Sequence, residues 1–560
     1  MEQTSSPLRP NMESNQSGPQ ACRKQASENI WPRWIELFLL YFLGAGIVYS
    51  SSILILSWKT PLLDQHAFRQ TQTALSVQWM AHGRPLLAYE TPIVGFPWTI
   101  PFEFPLFQWS ALLLHRLGVD LDNAGRVASW LYFIAGLPIA AFTMRKWGAD
   151  RQFTLIFLAL WTFSPLYAYW SRSYMIESCA TFFGLLFLAG LSNYLQLATQ
   201  KAPVKLVVLA LGLATAAAVV AGLVKVTTFF SFGLAGGGLT LWSMWTILRE
   251  RKRLWETLAV GVGPAFMVGA SLVATAMWVR HIDAAKAQAP IAALMTSVEL
   301  RSWNFGWEQI FKPITWTKVI FGRAPLDAVG SRFPLLLALV LVTMLPKARP
   351  YVICGFSLYL APFFAFTNLH FVHNYYQYAN AFFLIFAVAG SVWALGADAP
   401  NLAGASRNLS SRAIVPLMLI LVIGDLSAFQ SRFLPALWPS PAKDRTLELA
   451  AWIKGAVPPD DVVFIFGRDW SAELPYYAER RAVMFPSWAS AAVAQRSPRD
   501  LDLWTGGRRV GAIVDCGQPN AALKAWARST EVGRIGTSVA GCEVYRQQAA
   551  PAMKRRETAF

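Results

Sequence analysis

The run WIELFLLYFLGAGIVYSSSILILS (34–57), followed after WKTPLL by DQHAFRQ (64–70), sets the frame for the whole chain. An apolar helix of about 20 residues, at 1.5 Å per residue, crosses a hydrocarbon core of about 30 Å. Only Glu36 interrupts the first run. Similar stretches recur at 125–144, 152–170, 178–197, 204–224, 228–248, 257–279, 332–347, 351–369, 377–396 and 413–433. They predict a polytopic α-helical membrane protein of about eleven transmembrane helices. Composition agrees: 55% of the 560 residues are hydrophobic and 14% are charged, against roughly 25% charged in ordinary soluble domains. So few charges exclude a soluble protein of this size, and so much apolar surface excludes a disordered chain.

The formal charge of +17 is uneven. Residues 1–433 carry 32 basic and 19 acidic side chains, and residues 434–560 carry 17 and 13. Basic residues mark alternate loops: Arg145, Lys146 and Arg151; Lys201 and Lys205; Arg249, Arg251, Lys252 and Arg253; Lys347 and Arg349; Arg407 and Arg412. Cytoplasmic loops carry such excess, so this charge reads as topology and not as affinity for nucleic acid. Residues 1–33 then form a disordered cytoplasmic tail and 34–433 a transmembrane module. The loops 58–124 and 280–331 and the turns 171–177 and 370–376 face outward. Residues 434–548 form an outer soluble α/β domain, since TLELAAWIKGAV, PNAALKAWARST and a stretch near 471–480 read as helices. DDVVFIFG, RRVGAIVDC and a final pair ending GCEVYR read as strands, and 549–560 as a loose basic tail. Cys516 and Cys542, on strands in an oxidising space, are disulfide candidates. Cys179 and Cys354 lie in spans and read as packing residues.

Ionisable groups are costly near lipid, so those at the outer turns are the candidates for chemistry. Asp64, His66 and Arg69 crowd the start of the first long loop. AFRQTQTALSVQWMA after them has helical spacing with Phe68, Leu75 and Trp79 as an apolar stripe, and should lie along the interface. Glu103 sits inside PWTIPFEFPLFQW, where a carboxylate needs a partner. The turn SRSYMIES carries Arg172 and Glu177, which could simply pair with each other. Lys225 stands between two apolar runs, either snorkelling or aimed at a phosphate. NLHFVHNYYQYAN supplies His370, His373, Tyr375, Tyr376 and Gln377, as an interfacial aromatic belt or, through two histidines three apart, as metal ligands. Asp425 in the last span faces the bundle interior. Cations for a phosphate, a carboxylate for a base and aromatic surfaces for an apolar tail suit an enzyme acting on a lipid phosphate.

These motifs over 34–433 resemble the membrane glycosyltransferase superfamily with the GT-C fold. The branch of dolichyl-phosphate-mannose protein mannosyltransferases and the bacterial lipid A aminoarabinose transferase is the most similar. The resemblance rests on Asp64 after the first span, the long first outer loop with EFPLFQW, the SRSYMIES turn, the Lys225 junction and HNYYQY. Gln65 stands where the family usually has Glu, and Glu-Phe-Pro where many relatives have Pro-Pro. The outer α/β tail is similar to the soluble domain often appended in this superfamily. The resemblance implies an inverting transfer of a monosaccharide from a polyprenyl-phosphate-linked donor to a hydroxyl of a glycolipid, polysaccharide or protein. The reaction would occur on the outer face of a bacterial cytoplasmic membrane. It implies Asp64 as catalytic base, and Lys225, Arg69 and Arg172 on the phosphate. Glu103, Glu177, His66, His373, Tyr375 and Tyr376 would position substrates. A divalent ion occurs in some relatives, and Asp64 with Glu103 could hold one. A transporter or flippase of lipid-linked substrates is the alternative reading.

Overall fold

The computed structural model describes residues 32–251, 254–403, 412–489, 501–517 and 535–546. The N-terminal tail up to residue 31, Lys252, Arg253, Arg407, the helix expected at 519–530 and the basic tail at 549–560 lie outside the described residues.

The chain opens with α1 (Arg33–Leu56), α2 (Ala67–Ala81), α3 (Leu106–Arg116), α4 (Leu121–Lys146), α5 (Arg151–Phe163), α6 (Pro165–Trp170) and α7 (Glu177–Thr199). Then come α8 (Val204–Arg251), α9 (Leu254–Lys286), α10 (Ala324–Val329), α11 (Phe333–Met344), α12 (Ala348–Ala365), α13 (Thr367–Val372), α14 (Gln377–Ala403) and α15 (Ile414–Arg432). Every expected apolar stretch is helical, but they do not make eleven separate long spans. Among the described residues seven helices are long and apolar enough to cross a membrane, or eight if one bent pair counts as a span. The differences have local causes. Ser164 precedes a proline, which disfavours helical ψ, so the stretch at 152–170 breaks into α5 and α6 with Ser164 at ψ 126°. The segment 315–329 meets the 12-residue α11 at 102°. At α12 the expected span 351–369 ends at Ala365 and restarts as α13.

The largest difference is α8, a 48-residue element that joins two expected spans with no loop between them. Its one non-helical residue is Lys225, extended at φ −162° and ψ 99°. Val224, Val226, Thr227 and Thr228 surround it, and β-branched residues weaken a helix. Gly190 of α7 packs on Ala214, while Gly236 packs on Phe187 and Leu191 of the same helix. Ala214 and Gly236 each stand eleven residues from Lys225, so the two halves run back along α7 in opposite directions. Lys225 therefore sits at an end of the bundle.

Side chains such as Trp242, Trp245, Trp255, Phe266 and Met277 are exposed on α8 and α9, as expected for lipid-facing surface of a multi-pass membrane protein. The interior is densely aromatic, with Trp161, Phe157, Phe382 and Tyr167 in mutual contact. The first long loop departs from its interfacial reading. α2 has the expected extent, but residues 70–80 are buried on every face, because the soluble domain lies over them.

That domain contains α16 (Pro441–Ala456), β1 (Val462–Phe466), α17 (Glu473–Ala478), β2 (Arg481–Phe485), β3 (Val510–Asp515), β4 (Ile535–Val539) and β5 (Cys542–Arg546). The sheet order is β2-β1-β3-β5-β4. β1 runs parallel to β2 and β3, and the β4–β5 hairpin is antiparallel. Strand β2 has no counterpart in the sequence reading, since RAVMF is short and follows the charged run AERR. Its outer edge is covered by the first loop. Ala482 and Met484 donate their N–H groups to Pro92 and Ile93 carbonyls at 3.0 and 2.8 Å, which shields an edge that would otherwise template pairing. Leu62, Trp79 and Ile93 share one hydrophobic core with Val463, Phe464 and Ala482. Cys516 and Cys542 form a disulfide with Cα atoms 4.2 Å apart.

Candidate active site

Among the described residues, basic loops meet at one end of the bundle, where Lys146 bonds Asn193 and Gln196 near the end of α7 and Lys347 lies beside Asp150. The candidate residues gather at the other, around the α1–α2 junction, the α6–α7 turn, the Lys225 break and the α13–α14 turn. Asp64 lies in the tight bend between α1 and α2, which His66 closes in the left-handed region at φ 53°. Its carboxylate is fully buried beside the equally buried Arg172, with Oδ2 accepting from Nη1 at 2.6 Å. Oδ1 accepts from the Gln70 side-chain amide. The Arg172 guanidinium stacks on Tyr169, 4.2 Å from the ring centre.

Arg172 and Glu177 do not pair with each other. Glu177 Oε1 binds Lys225 Nζ, and Glu177 Oε2 is buried without a partner. Lys225 Nζ also lies over the rings of Tyr376 and Tyr375, at 4.3 and 5.1 Å. The Tyr375 ring meets His66 at 4.9 Å, and His66 meets His373 at 5.2 Å. His66, Tyr375, Lys225 and Glu177 thus form one continuous wall. Arg69 pairs with Glu103, both partly exposed, and Tyr89 Oη fixes the Glu103 backbone at 2.8 and 3.0 Å. Asp425 is buried within α15.

Burial and nearby cations push the imidazoles down. His373 falls from the ordinary 6.5 to about 3, with burial first and the charges of Arg69 and Lys225 among the causes. His370 also falls to about 3, through burial and then Lys225 and Arg323. His66 is lowered mainly by burial. All three are neutral near pH 7. Among the described residues no three His, Cys, Asp or Glu side chains form a metal-binding group. Asp64 and Glu103 are each engaged by a different arginine, so this donor set does not fit a shared cation.

Several site residues were not read from the sequence. Arg126 is fully buried one turn into α4 and donates to the carbonyls of Ser57, Thr60 and Pro61 at 2.9, 2.8 and 3.2 Å. It was available as a lone cation within an apolar helix. Asp327 pairs with Arg432 at 2.7 Å. Glu90 pairs with Arg481 at 3.0 Å, and Arg481 stacks on Trp79 at 4.1 Å. These pairs join segments 105 and 391 residues apart, and no local pattern announces them.

The sequence matches no family model. It matches no curated protein either. Solved structures do resemble it. ArnT from Cupriavidus metallidurans bound to undecaprenyl phosphate aligns over 91% of this chain and 97% of its own, at 15% identity and TM-score 0.56. The apo form of the same protein gives the same coverage and identity with TM-score 0.53. The archaeal oligosaccharyltransferase AglB from Archaeoglobus fulgidus, in complex with an inhibitory peptide and a dolichol-phosphate, aligns over 88% of this chain and 71% of its own. Its identity is 10% and its TM-score 0.53. Identities this low establish architecture alone, and that architecture is the GT-C fold of membrane glycosyltransferases.

Proposed function

We propose that this protein is an inverting membrane glycosyltransferase that moves a monosaccharide from polyprenyl phosphate to a hydroxyl acceptor. The acceptor is a glycolipid, polysaccharide or protein at the outer face of a bacterial cytoplasmic membrane. The N-terminus is cytoplasmic and the soluble domain extracytoplasmic. One observation carries the reading: Lys225 is placed by a one-residue break between two helix halves, beside an aromatic ledge, at the same bundle end as the buried Asp64–Arg172 pair. The undecaprenyl phosphate of ArnT and the dolichol-phosphate of AglB, structures of the same fold, support a polyprenyl phosphate here.

In the proposed step the acceptor oxygen bonds the anomeric carbon as the bond from that carbon to the phosphate oxygen breaks. The electron pair leaves with the polyprenyl phosphate, and the hydroxyl proton passes to Asp64. Both Asp64 oxygens are occupied, so the neutral Gln70 amide yields its place to the acceptor hydroxyl. Lys225, Arg172 and Arg69 balance charge developing on the leaving phosphate. Glu177, Glu103, His66, His373, Tyr375 and Tyr376 orient the sugar and acceptor.

Purified protein given a radiolabelled polyprenyl-phosphate sugar and membrane extract should label an acceptor, and Asp64→Asn should stop it. Labelling that falls only a few-fold with this substitution removes Asp64 from the role of base. Lipid flux in vesicles with no donor consumed favours a transporter or flippase instead.

A further inference from the structure

We infer that Tyr477, which belongs to the soluble domain, is a positioning residue for Asp64, an inference that rests on the transferase reading above. Asp64 lies in a bend whose backbone is held on both sides by tyrosine hydroxyls from different parts of the molecule. On one side the Gln65 N–H donates to Tyr169 Oη at 2.9 Å, from α6 of the bundle. On the other the Leu62 N–H donates to Tyr477 Oη at 2.6 Å, from α17 of the soluble domain. The two anchors stand one residue after and two residues before Asp64.

The Tyr477 anchor is itself oriented. Its hydroxyl donates to Asp122 Oδ2 at 3.0 Å, while Tyr476 donates to Asp122 Oδ1 at 2.5 Å. Asp122 lies in the first turn of α4, one turn before Arg126, which gathers the carbonyls of residues 57–61. The segment entering the bend is therefore clamped through its carbonyls by the bundle and through its last amide by the soluble domain. Leu62 is fully buried, so its N–H has no water to turn to if the hydroxyl is removed. A buried amide without an acceptor moves its chain, and a displacement of about 1 Å at a reacting group costs rate out of proportion to binding. Through Tyr477 the soluble domain thus completes the active site by ordering the segment that carries Asp64.

The test uses full-length protein in detergent and two variants, Tyr477→Phe and Asp122→Asn, with Lys454→Ala as control. Lys454 pairs with Glu479 on the exposed rim of the same domain. Hydrogen exchange over residues 57–66 and steady-state transfer are both measured. Tyr477→Phe should speed exchange at the Leu62 amide at least tenfold. It should also lower kcat by about tenfold to a hundredfold, with donor KM within about twofold. Asp122→Asn should shift both readouts in the same direction, and the control neither. Unchanged exchange overturns the proposal. So does faster exchange with unchanged kcat, or a rise in KM at constant kcat. If the wild-type chain transfers nothing, the transferase reading falls, and the exchange data alone decide whether Tyr477 orders the Asp64 segment.

Discussion

The two buried carboxylate–cation pairs at the site end of the bundle are built differently. Asp64 has both oxygens engaged, one by Arg172 and one by Gln70. Its backbone is tied down at the two flanking amides. Glu177 engages Lys225 through one oxygen and leaves the other buried without a partner, and Lys225 rests on two tyrosine faces without further hydrogen bonds to them. In the first pair the carboxylate is saturated and held by the fold, and the spare capacity lies on the cation, whose Nε and Nη2 are buried without hydrogen-bond partners. In the second the spare capacity lies on the carboxylate, through Glu177 Oε2. Chemistry that needs a fixed base and an adaptable phosphate partner is served by that contrast.

Four measurements sharpen or break the contrast. Asp64→Asn keeps the shape and removes the base, so transfer should fall by roughly a thousandfold. A fall of only a few-fold would make Asp64 a structural anion. The double substitution Lys225→Gln with Glu177→Gln removes the second pair without stranding a buried charge. Transfer should drop about a hundredfold while the unfolding midpoint moves little. A large loss of thermal stability would show that this pair is structural as well.

The third measurement concerns the imidazoles near the second pair. His370 and His373 are neutral when folded, with values near 3, and titrate near 6.5 when unfolded. The unfolded chain therefore binds more protons between these limits, so their contribution is present above about pH 6.5 and is lost as pH falls towards 3. Thermal unfolding followed from pH 7.5 down to pH 5 should show declining stability, and His370→Gln combined with His373→Gln should flatten the decline. The smallest effect on transfer belongs to Cys516→Ser with Cys542→Ser. Opening a loop of 26 residues costs about 3.5 kcal/mol, seen in the melting of the soluble domain, while transfer stays near wild type.

The legibility of the molecule followed the range of its forces. Apolar helices and basic loops are local signals, so the membrane class and the two ends of the bundle could be read from runs such as 34–57 and from Arg145, Lys201 and Lys347. The outer carboxylates and cations were legible as costly residues beside lipid. Their pairing was not. The turn SRSYMIES suggested an Arg172–Glu177 contact, but Arg172 found Asp64 in the α1–α2 bend and Glu177 found Lys225 in α8. The break at Lys225 needed knowledge that both halves pack along α7. Strand β2 is too short and too flanked by charge to declare itself. The burial of α2 depends on a domain some 400 residues later in the chain. The interfacial reading of this helix failed because Gln70 is taken up by Asp64 and Tyr174 of the bundle and Gln78 by Tyr476 of the soluble domain.

The absence of a connecting loop at Lys225 has a consequence for how this sequence can vary. Loops ordinarily absorb insertions and deletions, so neighbouring spans can change length independently. Here the two halves of α8 meet at one extended residue. A single residue added between Val204 and Lys225 would turn the cation by about 100° and shift it by about 1.5 Å along the axis. It would leave Glu177 and the tyrosine ledge behind, with no slack to restore the register. Related chains should tolerate length changes around 200–203 and lose function with the same change a few residues before 225.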